Sequence, residues 1–229
     1  MTGYNSGSSG NDWQSWQWKR HAGMDVVAYR GNSGSGRTVR HNLAQTPEMI
    51  WIKCRGSATE NWVVGHKGLN GGTNPWEYSL RLNGTNAEID YPYFNDTAPT
   101  STLFTLNNNG QVNGGSSNHY VAMLFASVDG ISKVGYYDGQ NTDLTITTGF
   151  QPRFIMIKRA NSGNSWFVAD TTRGWGASGN TAQLLQLQDP SAQFSNNDFG
   201  APTSTGFTVK GAETGWNESG GKYIYYAHA

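Results

Sequence analysis

Acids, histidines and turn-borne tryptophans are the residues of this sequence whose types and spacing could do chemistry. Asp90 and Asp96 flank Tyr91-Pro92-Tyr93, a spacing that could present two carboxylates. Their counterparts later in the chain, near Ser195 and Asp198, do not keep the pair. Glycoside hydrolysis needs two carboxyl groups held at a defined separation, so a polysaccharide-cleaving enzyme is the weakest of the functional readings. His21, His41, His66, His119 and His228 show no metal-ligand spacing with one another or with Cys54. No Gly-x-Ser-x-Gly elbow and no glycine loop opening a helix is present, which removes the signatures of a serine hydrolase and of a phosphate cradle. Asp138-Gly139-Gln140-Asn141-Thr142-Asp143 has calcium-like oxygens, but its counterpart, Arg30 to Arg37, is basic at both ends. A hairpin turn is expected there. The residues predict no catalysis, no metal and no cofactor.

The tryptophans divide into two kinds. Trp62 and Trp166 fall at the same place in two matching segments and read as core, as does Trp51, which falls on Met156. Trp76, Trp175 and Trp216 have no aromatic counterpart and sit in turn-like sequence: Asn74-Pro75-Trp76-Glu77, Gly174-Trp175-Gly176 and Gly215-Trp216-Asn217. Asp170, Arg173 and Trp175 cluster just past an expected strand end, and His66, Lys67 and Trp76 occupy the corresponding stretch of the first half. An aromatic face beside polar side chains suits a sugar ring, and loops past strand ends are where binding residues gather. These seven residues are the candidate contacts, either for a glycan or for a neighbouring subunit.

The elements that must position them follow from an internal repeat. Met49-Ile50-Trp51-Ile52-Lys53 falls on Phe154-Ile155-Met156-Ile157-Lys158, and Trp62-Val63-Val64 on Trp166-Phe167-Val168. Ala98-Pro99-Thr100-Ser101-Thr102, then Phe104-Thr105, recurs unchanged as Ala201 to Thr205, then Phe207-Thr208. The matches keep their order at a separation of 103 to 105 residues (Pro99 to Pro202, Pro47 to Pro152). Strands are expected at 24–30, 37–42, 48–54, 61–66, 78–83, 101–107 and 119–127, with counterparts about 105 residues on, by their β-branched and aromatic content between turn-forming runs. This pattern predicts an all-β chain of two tandem, internally duplicated β-sandwich units of jelly-roll or lectin-like form, 20–126 and 127–229. Residues 1–19 echo the end of each unit and read as the closing strand of a preceding unit or of the first. Tyr120 to Phe125 is apolar throughout, as in a strand buried on both faces where units or subunits meet. One pseudo-symmetric sandwich built from both halves is the alternative architecture.

Charged residues make up 14% of the 229 and sum to zero net charge, which leaves no long-range attraction for nucleic acid or anionic lipid and favours self-association. Cys54 is alone, so no internal disulfide can form. The first residues carry no basic or apolar signal segment, and no run is apolar enough to span a bilayer, so synthesis in a reducing cytoplasm without membrane insertion is expected.

As a set, these motifs resemble a family of repeated domains in structural proteins of tailed phages, especially phages of cyanobacteria. The marks are Trp18-Lys19-Arg20 leading into Gly23 to Tyr29, Thr46 to Lys53, Asn61-Trp62-Val63-Val64, Ala98 to Thr102, and Lys222 to Ala229. The resemblance covers nearly the whole chain and consists of strand and turn motifs. It implies a virion protein made in the host cytoplasm, often the C-terminal part of a longer tail-fibre, knob or capsid-decorating polypeptide. Its expected partners are other virion proteins, further copies of itself and a host-surface glycan. A purely architectural decoration is the alternative.

Overall fold

The computed structural model describes residues 15–20, 22–57, 59–177, 182–196, 199–211 and 213–229. The first half contributes β1 (Met24–Arg30), β2 (Arg37–Arg40), β3 (Met49–Cys54), β4 (Val63–His66), β5 (Tyr78–Arg81), β6 (Ile89–Asp90), β7 (Leu103–Leu106) and β8 (His119–Phe125). The second contributes β9 (Ser132–Asp138), β10 (Leu144–Thr147), β11 (Phe154–Arg159), β12 (Trp166–Asp170), β13 (Ala182–Gln186), β14 (Phe194–Asn196), β15 (Pro202–Thr203), β16 (Gly206–Val209) and β17 (Lys222–His228). The chain is all-β, and its helical segments are single turns of three or four residues.

Two six-stranded sheets carry the structure, in the orders β1-β8-β3-β4-β5-β6 and β9-β17-β11-β12-β13-β14. Strand for strand, the two orders are the same. A two-stranded sheet of β2 and β7 covers the first, and a three-stranded sheet of β10, β16 and β15 covers the second. Every strand pair is antiparallel.

Four layers therefore enclose three apolar interiors, and side-chain alternation along the strands fills them. On β8, Tyr120, Ala122 and Leu124 point into the first interior, beside Val39, Phe104 and Leu106 of the small sheet. Met123 and Phe125 point the other way, into a layer shared by the two large sheets. On β17, Tyr223, Tyr225 and Ala227 face the second small sheet, while Ile224 and Tyr226 face the shared layer. There Met49, Trp51 and Val64 meet Met156, Trp166 and Val168, and Phe125 lies 5.1 Å from Tyr226 between ring centroids. A strand buried on both faces leaves few places for charge, consistent with the sparse charge of the sequence.

Matching positions in the two halves take matching roles. Tyr29 stacks on Tyr120 at 5.1 Å and Tyr137 on Tyr223 at 5.2 Å. The Tyr120 hydroxyl accepts from the Gly114 N–H and donates to the Gly110 carbonyl, and Tyr223 does the same with Glu218 and Thr214. Buried Asn113 and Asn217 each hold a loop that crosses between sheets.

Three expectations are corrected. Residues 61–62 stay outside β4, which begins at Val63; the Trp62 N–H is taken by Asn83 Oδ1 at 2.9 Å. Residues 139–143 form no hairpin: they join β9 of a large sheet to β10 of a small one, pinned by hydrogen bonds of the Asn217 amide to Gln140 and Thr142. The expected closing strand at 1–19 falls mostly outside the described residues, and its described part, from Ser15, is no strand. It runs as a strap across both halves. Arg20 pairs with buried Asp25 at 2.6 Å, Trp18 lies edge-on to Phe125 and Phe154, and Trp16 lies edge-on to Phe154.

Phe125→Ala is expected to destabilise the protein by about 3–5 kcal/mol, the usual cost of emptying a large core site. Because the shared layer couples the halves, the urea midpoint should shift within one transition, followed by far-ultraviolet circular dichroism. Two separated transitions would show that the halves unfold independently.

Candidate functional site

The three turn-borne tryptophans are buried. Trp175 is 2% exposed, and its indole N–H donates to the Gly200 carbonyl at 3.1 Å. Trp216 donates to the Lys210 carbonyl and lies edge-on to Phe167 and Phe199. Trp76, on the helical turn Pro75–Glu77, lies edge-on to Phe94 at 5.2 Å. Their loops fold back over the sheet ends and insert the rings into the core, where Trp76, Trp175 and Trp216 are 7%, 2% and 3% exposed. At Trp175 the flanking glycines make this possible. Gly174 and Gly176 take φ of 98° and 85°, and a Cβ on Gly176 would stand 2.7 Å from Pro202.

His66 is fully buried between the halves. Its Nδ1 accepts from the Gly68 N–H at 2.9 Å, which leaves the proton on Nε2, 3.4 Å from the Tyr225 carbonyl. Burial pushes its pKa down to about 3, against the pull of the Tyr225 carbonyl. It is a neutral structural bridge. Asp170 stands at the matching register: His66 pairs with Met49 across the ladder, and Asp170 with Phe154.

Two recesses open at equivalent ends of the large sheets. The first, of about 420 Å³, gathers two predicted residues, Lys67 and Trp76, with Glu48, Gln45, Pro99 and Ser127. Glu48 bonds Lys67 through one carboxylate oxygen, and through the other the Ser127 N–H and hydroxyl. Burial raises the Glu48 pKa, but the Lys67 and Ser127 hydrogen bonds outweigh it and hold the carboxyl below its ordinary value. The acid is ionised and fully engaged.

The second recess, of about 360 Å³, is lined by Trp16, Trp18, Arg153, Thr171, Thr172 and His228 among others. Predicted Asp170 reaches it and Arg173 stands behind it, and both act on Trp16. The two form a buried ion pair at 2.6 Å. Asp170 caps the turn Thr171–Arg173 through the Arg173 N–H and accepts from the Trp16 indole N–H at 3.1 Å. The Arg173 guanidinium covers Trp16 at 5.6 Å from the ring centroid. Trp16 is thus held by a hydrogen bond at its edge and a cation behind it.

The recesses share a backbone frame. Lys67 N–H donates to the Glu48 carbonyl and Thr171 N–H to the Arg153 carbonyl, both at 2.9 Å. Glu48 N–H donates to Phe125 and Arg153 N–H to His228, both at 2.8 Å. Sequence reasoning missed Trp16, Trp18, Arg153 and His228. The readable signal was the exchange of an acid for a base between matching positions Glu48 and Arg153. Among the described residues no three His, Cys, Asp or Glu side chains gather to hold a metal ion.

A model of the family described as "Domain of unknown function (DUF7483)" matches residues 5–229. Comparison with the curated proteins and with the solved structures finds no match.

The His66 geometry sets a pH dependence. The unfolded chain takes up the imidazole proton below about pH 6.5, whereas the folded chain refuses it until about pH 3. Stability from this group is complete above pH 6.5 and is lost as pH falls from 6.5 toward 3, at roughly 1.4 kcal/mol per pH unit. Urea titrations at several pH values should therefore show a shallower acid-side slope for His66→Leu than for the wild type. Equal slopes would mean that His66 titrates in the folded state.

Proposed function

We propose, for a chain that belongs to the DUF7483 family of unknown function, a non-catalytic role as a surface module of a phage particle that attaches to host-surface glycan. The construction of the second recess carries this reading. Trp16 is fixed by Asp170 and Arg173 before any ligand arrives, and Trp18, Thr171, Thr172 and Arg153 surround it. A rigid aromatic wall beside hydroxyl and guanidinium donors suits a sugar ring, which offers apolar C–H faces and hydroxyls together. Preorganisation spares the ordering cost of binding.

The engagement of the acids supports a role without catalysis. Asp170 is committed to Arg173 and Trp16, and Glu48 to Lys67 and Ser127, so the acidic side chain lining each recess is already occupied by partners. The phage assignment rests on the resemblance of the strand and turn motifs. Zero net charge suits close packing against other virion proteins and further copies of the chain. The common strand order of the two large sheets favours an origin by tandem duplication of a lectin-like sandwich, with units near 20–126 and 127–229. A purely architectural decoration is the second reading, favoured by the inward packing of Trp76, Trp175 and Trp216.

Fluorescently labelled protein should bind saturably to cyanobacterial cells and to their extracted surface polysaccharide. Trp16→Ala should weaken that binding by about tenfold, the worth of one lost aromatic contact, while the protein stays folded. Trp175→Ala should instead cost about 3–5 kcal/mol of stability. Absence of saturable binding to every strain that the parent phage infects would overturn attachment and leave the architectural reading.

A further inference from the structure

Arg153 lines the second recess and is paired with no acidic side chain among the described residues. The described residues contain five ion pairs, and Arg153 belongs to none of them. Its backbone is nevertheless fixed on both sides, by the His228 carbonyl and the Thr171 N–H. Asp170 is taken by the Arg173 ion pair, and the remaining lining includes His228 and Ala229. The equivalent position of the first recess holds Glu48, which Lys67 neutralises. The two recesses thus share a frame and differ at one position: Glu48 is paired with Lys67 in the first, whereas Arg153 in the second belongs to no ion pair among the described residues.

We infer, building on the glycan reading of this recess, that its occupant is an acidic sugar whose carboxylate is taken by Arg153. A guanidinium presents paired donors that match a carboxylate bidentately, a geometry that a lysine ammonium or a hydroxyl cannot supply. Trp16 lines the same recess, so one ligand unit can set its ring against the indole wall and its carboxylate on Arg153. Thr171 and Thr172 stand beside it as partners for the ring hydroxyls. A uronate within a surface polysaccharide has this combination of a puckered ring, hydroxyls and a carboxylate fixed to the ring. A neutral hexose fills the aromatic wall and leaves the guanidinium unmatched.

The test uses the full chain, with trigalacturonate and its fully methyl-esterified counterpart as probes in isothermal titration calorimetry. The wild type should prefer the acid by about tenfold or more, the scale of one charge-assisted bidentate contact, and added salt should narrow the gap. In Arg153→Gln the two probes should bind alike, and Arg153→Lys should keep part of the preference. Arg153 is exposed and belongs to no ion pair among the described residues, so both variants should melt with the wild type. Equal binding of acid and ester by the wild type, or a preference that survives Arg153→Gln, overturns the inference while glycan attachment through Trp16 stands. Failure of both probes and of the extracted polysaccharide to bind the wild type overturns attachment and this inference together.

Discussion

The apolar layer shared by the two large sheets is the constraint on which the rest of the structure depends. β8, β3, β11 and β17 each feed one interior with odd positions and another with even positions, so neither face of these strands is free. A one-residue slip of β8 would exchange Tyr120, Ala122 and Leu124 for Val121, Met123 and Phe125 and misfill two cores at once. Register is therefore specified twice over. The same arrangement explains the low charge, since charged side chains are confined to outer strands, loops and a few neutralised interior sites.

Most of those interior polar sites are answered by a partner, as burial requires, the Trp51 indole N–H being an exception among the described residues. Asp25 meets Arg20 and the Asn42 N–H, and His66 meets Gly68 and Tyr225. Lys53 and Lys158, at matching places on β3 and β11, turn their ammonium groups onto backbone carbonyls, Lys53 onto Ser57 and Glu60 and Lys158 onto Arg159 and Ser162. At the register shared by His66 and Asp170 the two halves diverge. One side chain bridges the sheets as a neutral imidazole. The other is an anion that anchors Arg173 and Trp16. A single frame position thus serves packing in one half and site construction in the other.

The strap from Ser15 to Arg20 turns that divergence into a recess. It is tied to the first half through Asp25 and Phe125 and to the second through Phe154 and Asp170, and its two tryptophans form a wall that neither half contains alone. The recess therefore exists only when both halves and the strap are assembled around the common layer.

Much of the architecture was legible in the residues, because strands buried on one or both faces write their periodicity into sequence. The alternation and apolar runs of 24–30, 48–54 and 119–127 placed β1, β3 and β8 to within two residues, and Tyr120 to Phe125 revealed a strand without a solvated face. Loop side chains carry no such periodicity. Nothing local distinguishes a tryptophan between glycines that folds inward, as Trp175 does, from one that faces solvent. Likewise Trp16 and Trp18 read as strand residues, since their partners Asp170, Phe154 and Tyr226 lie more than a hundred residues away. The sequence by itself determined the all-β class, the positions of the longer strands and the scarcity of charge, all consequences of local pattern. Tertiary structure alone decided which aromatics line a recess and which cation there goes unmatched, because those properties depend on side chains that the fold brings together from distant parts of the chain.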